Sequence, residues 1–148
     1  MKNEAVTQYR ENNIASASPE ETVLMLYNGA IKFLRDALGE VGRNTENKII
    51  LIDKSLKIIE YLQSCLNMEK GGEIAHNLND LYDYIMVQIT RANFKNDATM
   101  INEVIRLLLP IRDAWAEICR KGSRKPSPLP YGGKSEEAQS TKKIAVSV

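Results

Sequence analysis

The sequence predicts an all-α fold: an antiparallel up-and-down four-helix bundle, with a short N-terminal segment packed on it and a disordered C-terminal tail. Three observations predict it. Apolar residues recur at spacings of three and four along four successive stretches. Short polar breaks carrying helix caps separate those stretches, and no stretch alternates like a strand. Long amphipathic helices joined by short turns bury their stripes by packing side by side in antiparallel order.

Residues 1–17 are polar apart from Val6, Tyr9 and Ile14, and form an N-terminal segment able to hold at most a short helix or turn. Order begins at Ser18-Pro19-Glu20-Glu21, where Ser18 suits an N-cap, Pro19 the first helical position and Glu21 the closing residue of a capping box. Val23, Leu26, Tyr27, Ala30, Phe33, Leu34, Ala37, Leu38 and Val41 then mark a first helix over about 19–41. Asn28-Gly29 lies inside this stretch and is a strong hairpin signal in isolation. The unbroken helical period overrides it, so Gly29 becomes an interior helix position costing roughly 1 kcal/mol relative to Ala. A missing side chain beside Leu26 and Phe33 admits another backbone, so Tyr27 and Gly29 are expected at a close-packing site.

Gly39, Gly42, Asn44 and Thr45 punctuate the chain before a second helix over about 46–67. It carries one stripe at Ile52, Leu56, Ile59 and Leu66, and a second at Leu51, Ile58, Leu62 and Cys65. After a polar break at 67–72, a third helix is expected over 73–94, with Ile74, Leu78, Leu81, Ile85, Ile89 and Ala92 on its main face. Residues 93–97 read as a turn ending in Asp97, an N-cap for a fourth helix over 98–121. Pro110 inside that helix removes the donor to the Arg106 carbonyl and predicts a kink near 105–109. From Gly122 to Val148 the chain turns to Ser, Pro, Gly and Lys, a composition that predicts disorder.

A formal charge of +1 leaves no field to hold nucleic acid or an anionic membrane. No apolar run near the N-terminus is long enough for a signal peptide or a membrane span, so the expected setting is cytosolic, without membrane insertion. Cys65 and Cys119 lie in apolar helical patterns and suggest neither a disulfide framework nor a metal knuckle.

Enzymatic signals fail individual tests. Glu73-Ile74-Ala75-His76 has the Glu-x-x-His spacing of a di-iron bundle site, but the chain holds 1 histidine, and Glu73 and His76 point away from the apolar stripe. Gly71-Gly72 lacks the Lys-Ser/Thr and the preceding strand of a phosphate loop. Neither cysteine has a neighbouring base in sequence. No enzyme, metal or cofactor is expected.

What exceeds the needs of a simple bundle is apolar surface. Helix 2 has its second stripe, helix 3 adds Tyr82, Tyr84, Met86 and Val87, and helix 4 adds Ile105 and Leu109. The surplus thickens the core, forms a homodimer contact, or makes grooves for the amphipathic segments of another chain. In the last case Asn79, Asp83 and Asn93 are polar neighbours able to hydrogen-bond a partner's backbone.

The order Tyr9, "ASPEETVLMLYNGAIKFL" (17–34), "GGEIAHNLNDLYDYI" (71–85), "RAN" (91–93) and "EVIRLLLPIRDAW" (103–115) resembles the FliS family of flagellar export chaperones over roughly residues 5–120. The resemblance implies a cytosolic helical bundle that binds the C-terminal region of flagellin, prevents premature polymerisation and presents it to the flagellar type III export apparatus. Other flagellar regulators or co-chaperones are a further class of partner it leaves open, and it implies no cofactor. Placed on this sequence, the flagellin groove is expected at Leu51, Ile58, Leu62, Tyr82, Ile85, Ile89, Asn93, Ile105 and Leu109. By the same resemblance, Tyr9 and Ile14 form a movable N-terminal plug over part of it, the alternative being a simple tether at Tyr9. The chain departs from the family pattern at Pro110 and in the tail after Lys121.

Overall fold

A computed structural model describes residues 18–122, so Tyr9, Ile14, the N-terminal segment and the tail beyond Gly122 lie outside the described residues. Four helices follow one another: α1 (Pro19–Glu40), α2 (Thr45–Ser64), α3 (Met68–Lys95) and α4 (Ala98–Gly122). No strand occurs among the described residues, and the fold is an all-α four-helix bundle.

Local chemistry sets each boundary. Ser18 accepts the Glu21 amide at 3.1 Å while the Glu21 carboxylate accepts the Ser18 amide at 3.0 Å, the reciprocal capping box the sequence spells out. Asn44 caps α2 by accepting from the Asn47 amide at 2.9 Å. The second helix stops at Ser64, three residues short of the expected 67, because Asn67 is taken as the N-cap of α3 and accepts the Lys70 amide at 2.8 Å. The cap starts a helical turn at Met68, before the expected start at 73. Gly72 then interrupts it at φ 56° and ψ −138°, a conformation closed to residues with a Cβ. The expected polar break is therefore a capped turn followed by a glycine joint.

The α3/α4 turn is shorter than expected. Helix α3 continues through Asn93 and Phe94 to Lys95, and Asn96 closes it in the left-handed region at φ 56° and ψ 46°. Asp97 then caps α4, accepting from the Thr99 amide at 2.9 Å and the Met100 amide at 3.2 Å. Helix α4 runs unbroken through Pro110, which lies on the exposed side. There water can reach the Arg106 carbonyl that proline leaves without a donor.

The helices form a ring. Helix α1 packs on α2 and α4, α3 packs on the same two, and the diagonal pairs make no backbone approach. Helix α1 runs closely along both neighbours, whereas α3 is held less closely. The core contains Leu26, Tyr27, Leu34, Ile52, Ile59, Ile85, Ile89, Val104, Leu108 and Trp115, with Trp115 among its largest fully buried side chains. One polar link crosses the ring: the Tyr27 and Tyr82 hydroxyls, both buried, lie 2.5 Å apart and join α1 to α3. Gly29 is buried on α1, one turn from Phe33.

Candidate functional site

Six of the nine residues expected in an open groove lie inside the bundle. Ile58, Leu62, Tyr82, Ile85 and Ile89 are 0–1% exposed and Ile105 is 5% exposed, all within one core cluster. The ring explains the correction. A helix with two packed neighbours buries a broad apolar arc, so the second stripe of α2 serves the bundle itself.

The other three, Leu51, Asn93 and Leu109, remain partly exposed but do not share a groove. Leu51 lines an open notch of about 410 Å³ with Arg35, Gly39, Arg43 and Asn47, on the α1/α2 side. Leu109 lies one turn before Arg112, whose guanidinium donates to Asn28 Oδ1 at 2.9 Å, which places it toward α1. Asn93 lies at the α2/α3 seam, where its backbone carbonyl accepts from Lys48 Nζ at 3.0 Å. The expected single groove is thus three separate seams.

The exposed apolar surface lies elsewhere. Ile49 (46% exposed) and Ile50 (48%) stand at the start of α2, and Tyr84 (45%), Val87 (50%) and Phe94 (88%) stand on α3. At 100° per residue, Tyr84, Val87 and Phe94 fall within about 80° of one another, on the side of α3 away from Ile85 and Ile89. They form one stripe facing solvent. The same arithmetic applied to the sequence marks that stripe, which is not separable while the apolar residues of α3 are taken as one surface and residues 93–97 as a turn. The Tyr84 hydroxyl donates to Glu103 Oε2 at 3.2 Å and ties the start of the stripe to α4.

Sequence reasoning also missed Lys48. Its side chain is 2% exposed, and its ammonium donates to the Asn93 carbonyl and, at 2.6 Å, to Asn96 Oδ1. A cation is thereby held against the last carbonyls of α3, where the helix dipole favours it. At the other end of this seam, Gln63 Nε2 donates to the Asn79 carbonyl at 3.2 Å and to Asp83 Oδ1 at 2.8 Å. Of the three polar residues expected to meet a partner, Asp83 is therefore engaged internally through its side chain, and Asn79, like Asn93, through its backbone carbonyl.

His76 is exposed, and among the described residues no group of three or more His, Cys, Asp and Glu side chains could hold a metal ion. Among them, too, no helix is long and apolar enough to cross a membrane. Cys119 lies partly buried near the start of α1, where desolvation first, and then the charges of Glu21 and Glu20, push its thiol up to about 11. The folded chain therefore holds this proton above the ordinary thiol range, and the thiol contributes to stability below about pH 9. That contribution is lost as pH rises through about 11. Alkylation of Cys119 by iodoacetamide at pH 8, followed by peptide mass mapping, is expected to be on the order of a hundredfold slower in the folded chain than in denaturant. Equal rates would refute the placement.

The comparisons with known proteins agree with this architecture. A family model described as "Flagellar protein FliS" matches residues 1–122. The flagellar secretion chaperone FliS of Vibrio cholerae is 42% identical over 109 residues, covering 73% of this chain and 80% of the relative. The flagellar secretion chaperone FliS of Salmonella typhimurium is 40% identical over 119 residues, covering 76% and 85%. That of Bacillus subtilis is 36% identical over 116 residues, covering 75% and 83%. These names denote a chaperone family and not an enzyme family. With the helical bundle and the match across all four of its helices, they establish that this chain belongs to the FliS family of flagellar secretion chaperones.

Proposed function

We propose that the chain is a cytosolic export chaperone that binds the C-terminal region of flagellin, keeps it from polymerising early and delivers it to the flagellar type III export apparatus. The observation that carries this reading is the solvent-facing stripe of Tyr84, Val87 and Phe94, with Ile49 and Ile50 on the neighbouring helix, in a chain of this family. Apolar side chains exposed in series mark an interaction surface. Flagellin's terminal segments are amphipathic and disordered before they pack into a filament, so a carrier has to cover their apolar faces in the interval. The ordering entropy offsets part of the contact energy, which lets a large interface remain releasable.

In this reading the flagellin seat follows the outer face of α3 and the α2/α3 seam, bordered by Asn93. The buried residues Ile58, Leu62, Tyr82, Ile85, Ile89 and Ile105 support it from beneath. Leu51 and Leu109, on the α1 side, are reached only by a segment that wraps around the bundle.

Co-purification with flagellin tests the reading. Full-length flagellin is expected to be retained, and flagellin lacking its C-terminal region to be lost. Val87→Glu and Phe94→Glu, both at exposed positions, are expected to weaken retention at least about tenfold while the helical circular dichroism stays unchanged. Equal retention of the full and truncated flagellins would overturn the proposal.

A further inference from the structure

At the α2/α3 seam, the Asn93 side chain is a polar group without a counterpart. Its backbone carbonyl is held by Lys48, but its Oδ1 is sealed from solvent and accepts no hydrogen bond. Among the described residues it is the one buried side-chain oxygen or nitrogen left in that condition. An unfilled buried acceptor costs free energy, so native chains rarely keep one without a use for it. The neighbouring polar groups do not remove the cost: the Lys48 ammonium is engaged by the Asn93 backbone carbonyl and the Asn96 side chain. The residues adjacent in sequence to this pair, Phe94 and Ile49, are among the exposed apolar side chains.

We propose that the Asn93 carboxamide is the anchor for the main chain of the bound flagellin segment, a half-turn of its last torsion bringing the oxygen out of its sealed position to accept one backbone amide. This rests on the export-chaperone reading and adds how the client is held. A carboxamide has a broad, two-fold torsion at its last bond, so a half-turn exchanges oxygen and nitrogen and presents either to a partner. Lys48 fixes the Asn93 backbone, so the side chain is the part left free to respond. A peptide unit inside a helix already has its amide and carbonyl engaged. The partner at this point is therefore an extended stretch or a helix end, whose main-chain groups are unfilled. Recognition of the backbone tolerates variation in flagellin side chains, while the flanking apolar residues supply contact area.

The test uses the full chain and a synthetic peptide of the flagellin C-terminal region. Asn93→Leu keeps the volume and removes both polar ends. Its melting temperature is expected to equal or exceed that of the unaltered chain, because no internal hydrogen bond of the side chain is lost. Its affinity for the peptide is expected to fall roughly five- to tenfold. Single backbone N-methylations along the peptide, each deleting one amide donor, should include one that weakens binding to the unaltered chain by a similar factor and has no further effect on Asn93→Leu. Equal peptide affinity of the two proteins, a lower melting temperature of Asn93→Leu, or N-methyl effects identical in both would overturn the role of Asn93. Failure of the unaltered chain to bind the peptide would overturn the export-chaperone reading together with it.

Discussion

Replacing Ile58 with aspartate is expected to unfold the bundle. Ile58 is 0% exposed in the core cluster of α2, and the substitution places an ionised carboxylate among apolar side chains without a partner. A buried charge with no partner is destabilising by roughly 3–5 kcal/mol or more, a large part of the stability of a domain this size. Loss of the cooperative thermal transition, or a markedly lower midpoint in urea, is the expected reading. A chain that keeps its native midpoint with Asp at this position would mean that α2 turns Ile58 outward, and the placement of the core would be wrong. The flagellin binding proposed above is expected to be lost as well, but through loss of the fold. Charge substitution at Tyr82, equally buried, is expected to act the same way. By contrast Val87→Glu changes a half-exposed position, so a loss of flagellin there belongs to the surface.

Lys48→Met is expected to lower stability by about 3 kcal/mol, seen as a fall of roughly 10 °C in the melting temperature. Methionine replaces the buried stem, so packing is largely retained. The loss is that of the ammonium and its bonds to the Asn93 carbonyl and Asn96 Oδ1. Hydrogen bonds from a charged donor contribute about 1.5–3 kcal/mol each, and the acceptors left behind are partly shielded from water. Fraying should concentrate at the C-terminal turn of α3, visible as faster amide exchange from Ala92 to Asn96. A melting temperature within a degree or two of the unaltered chain would show that water replaces the ammonium at the seam without cost.

The helices could be read from the sequence because their signals are local. The Ser18 box, the Asp97 cap and the apolar period of α1 each need only a few consecutive residues. Boundaries failed where one residue had two uses: Asn67 looks like the polar end of α2 and acts as the cap of α3. Burial was harder. A stripe shows that a face is apolar, not how many neighbours cover it, so the ring arrangement alone turned Ile58, Leu62, Tyr82, Ile85, Ile89 and Ile105 from groove to core. The engagement of the Asp83 side chain and the Asn79 carbonyl was not legible either, because both depend on Gln63, 20 and 16 residues away in the chain. Lys48 could not be found by pattern, because its partners lie 45 and 48 positions further along.

The burial of Trp115 has a practical consequence. The chain has 1 tryptophan, and it is 1% exposed on α4, inside the core cluster. Its fluorescence is thus an internal gauge of the interior, blue-shifted while the helices are packed and red-shifted when water enters. Occupation of the outer stripe of α3 leaves the indole in the same apolar surroundings. A single emission spectrum therefore separates a variant that has lost its partner from one that has lost its interior: Val87→Glu should keep the blue emission, and Ile58→Asp should not.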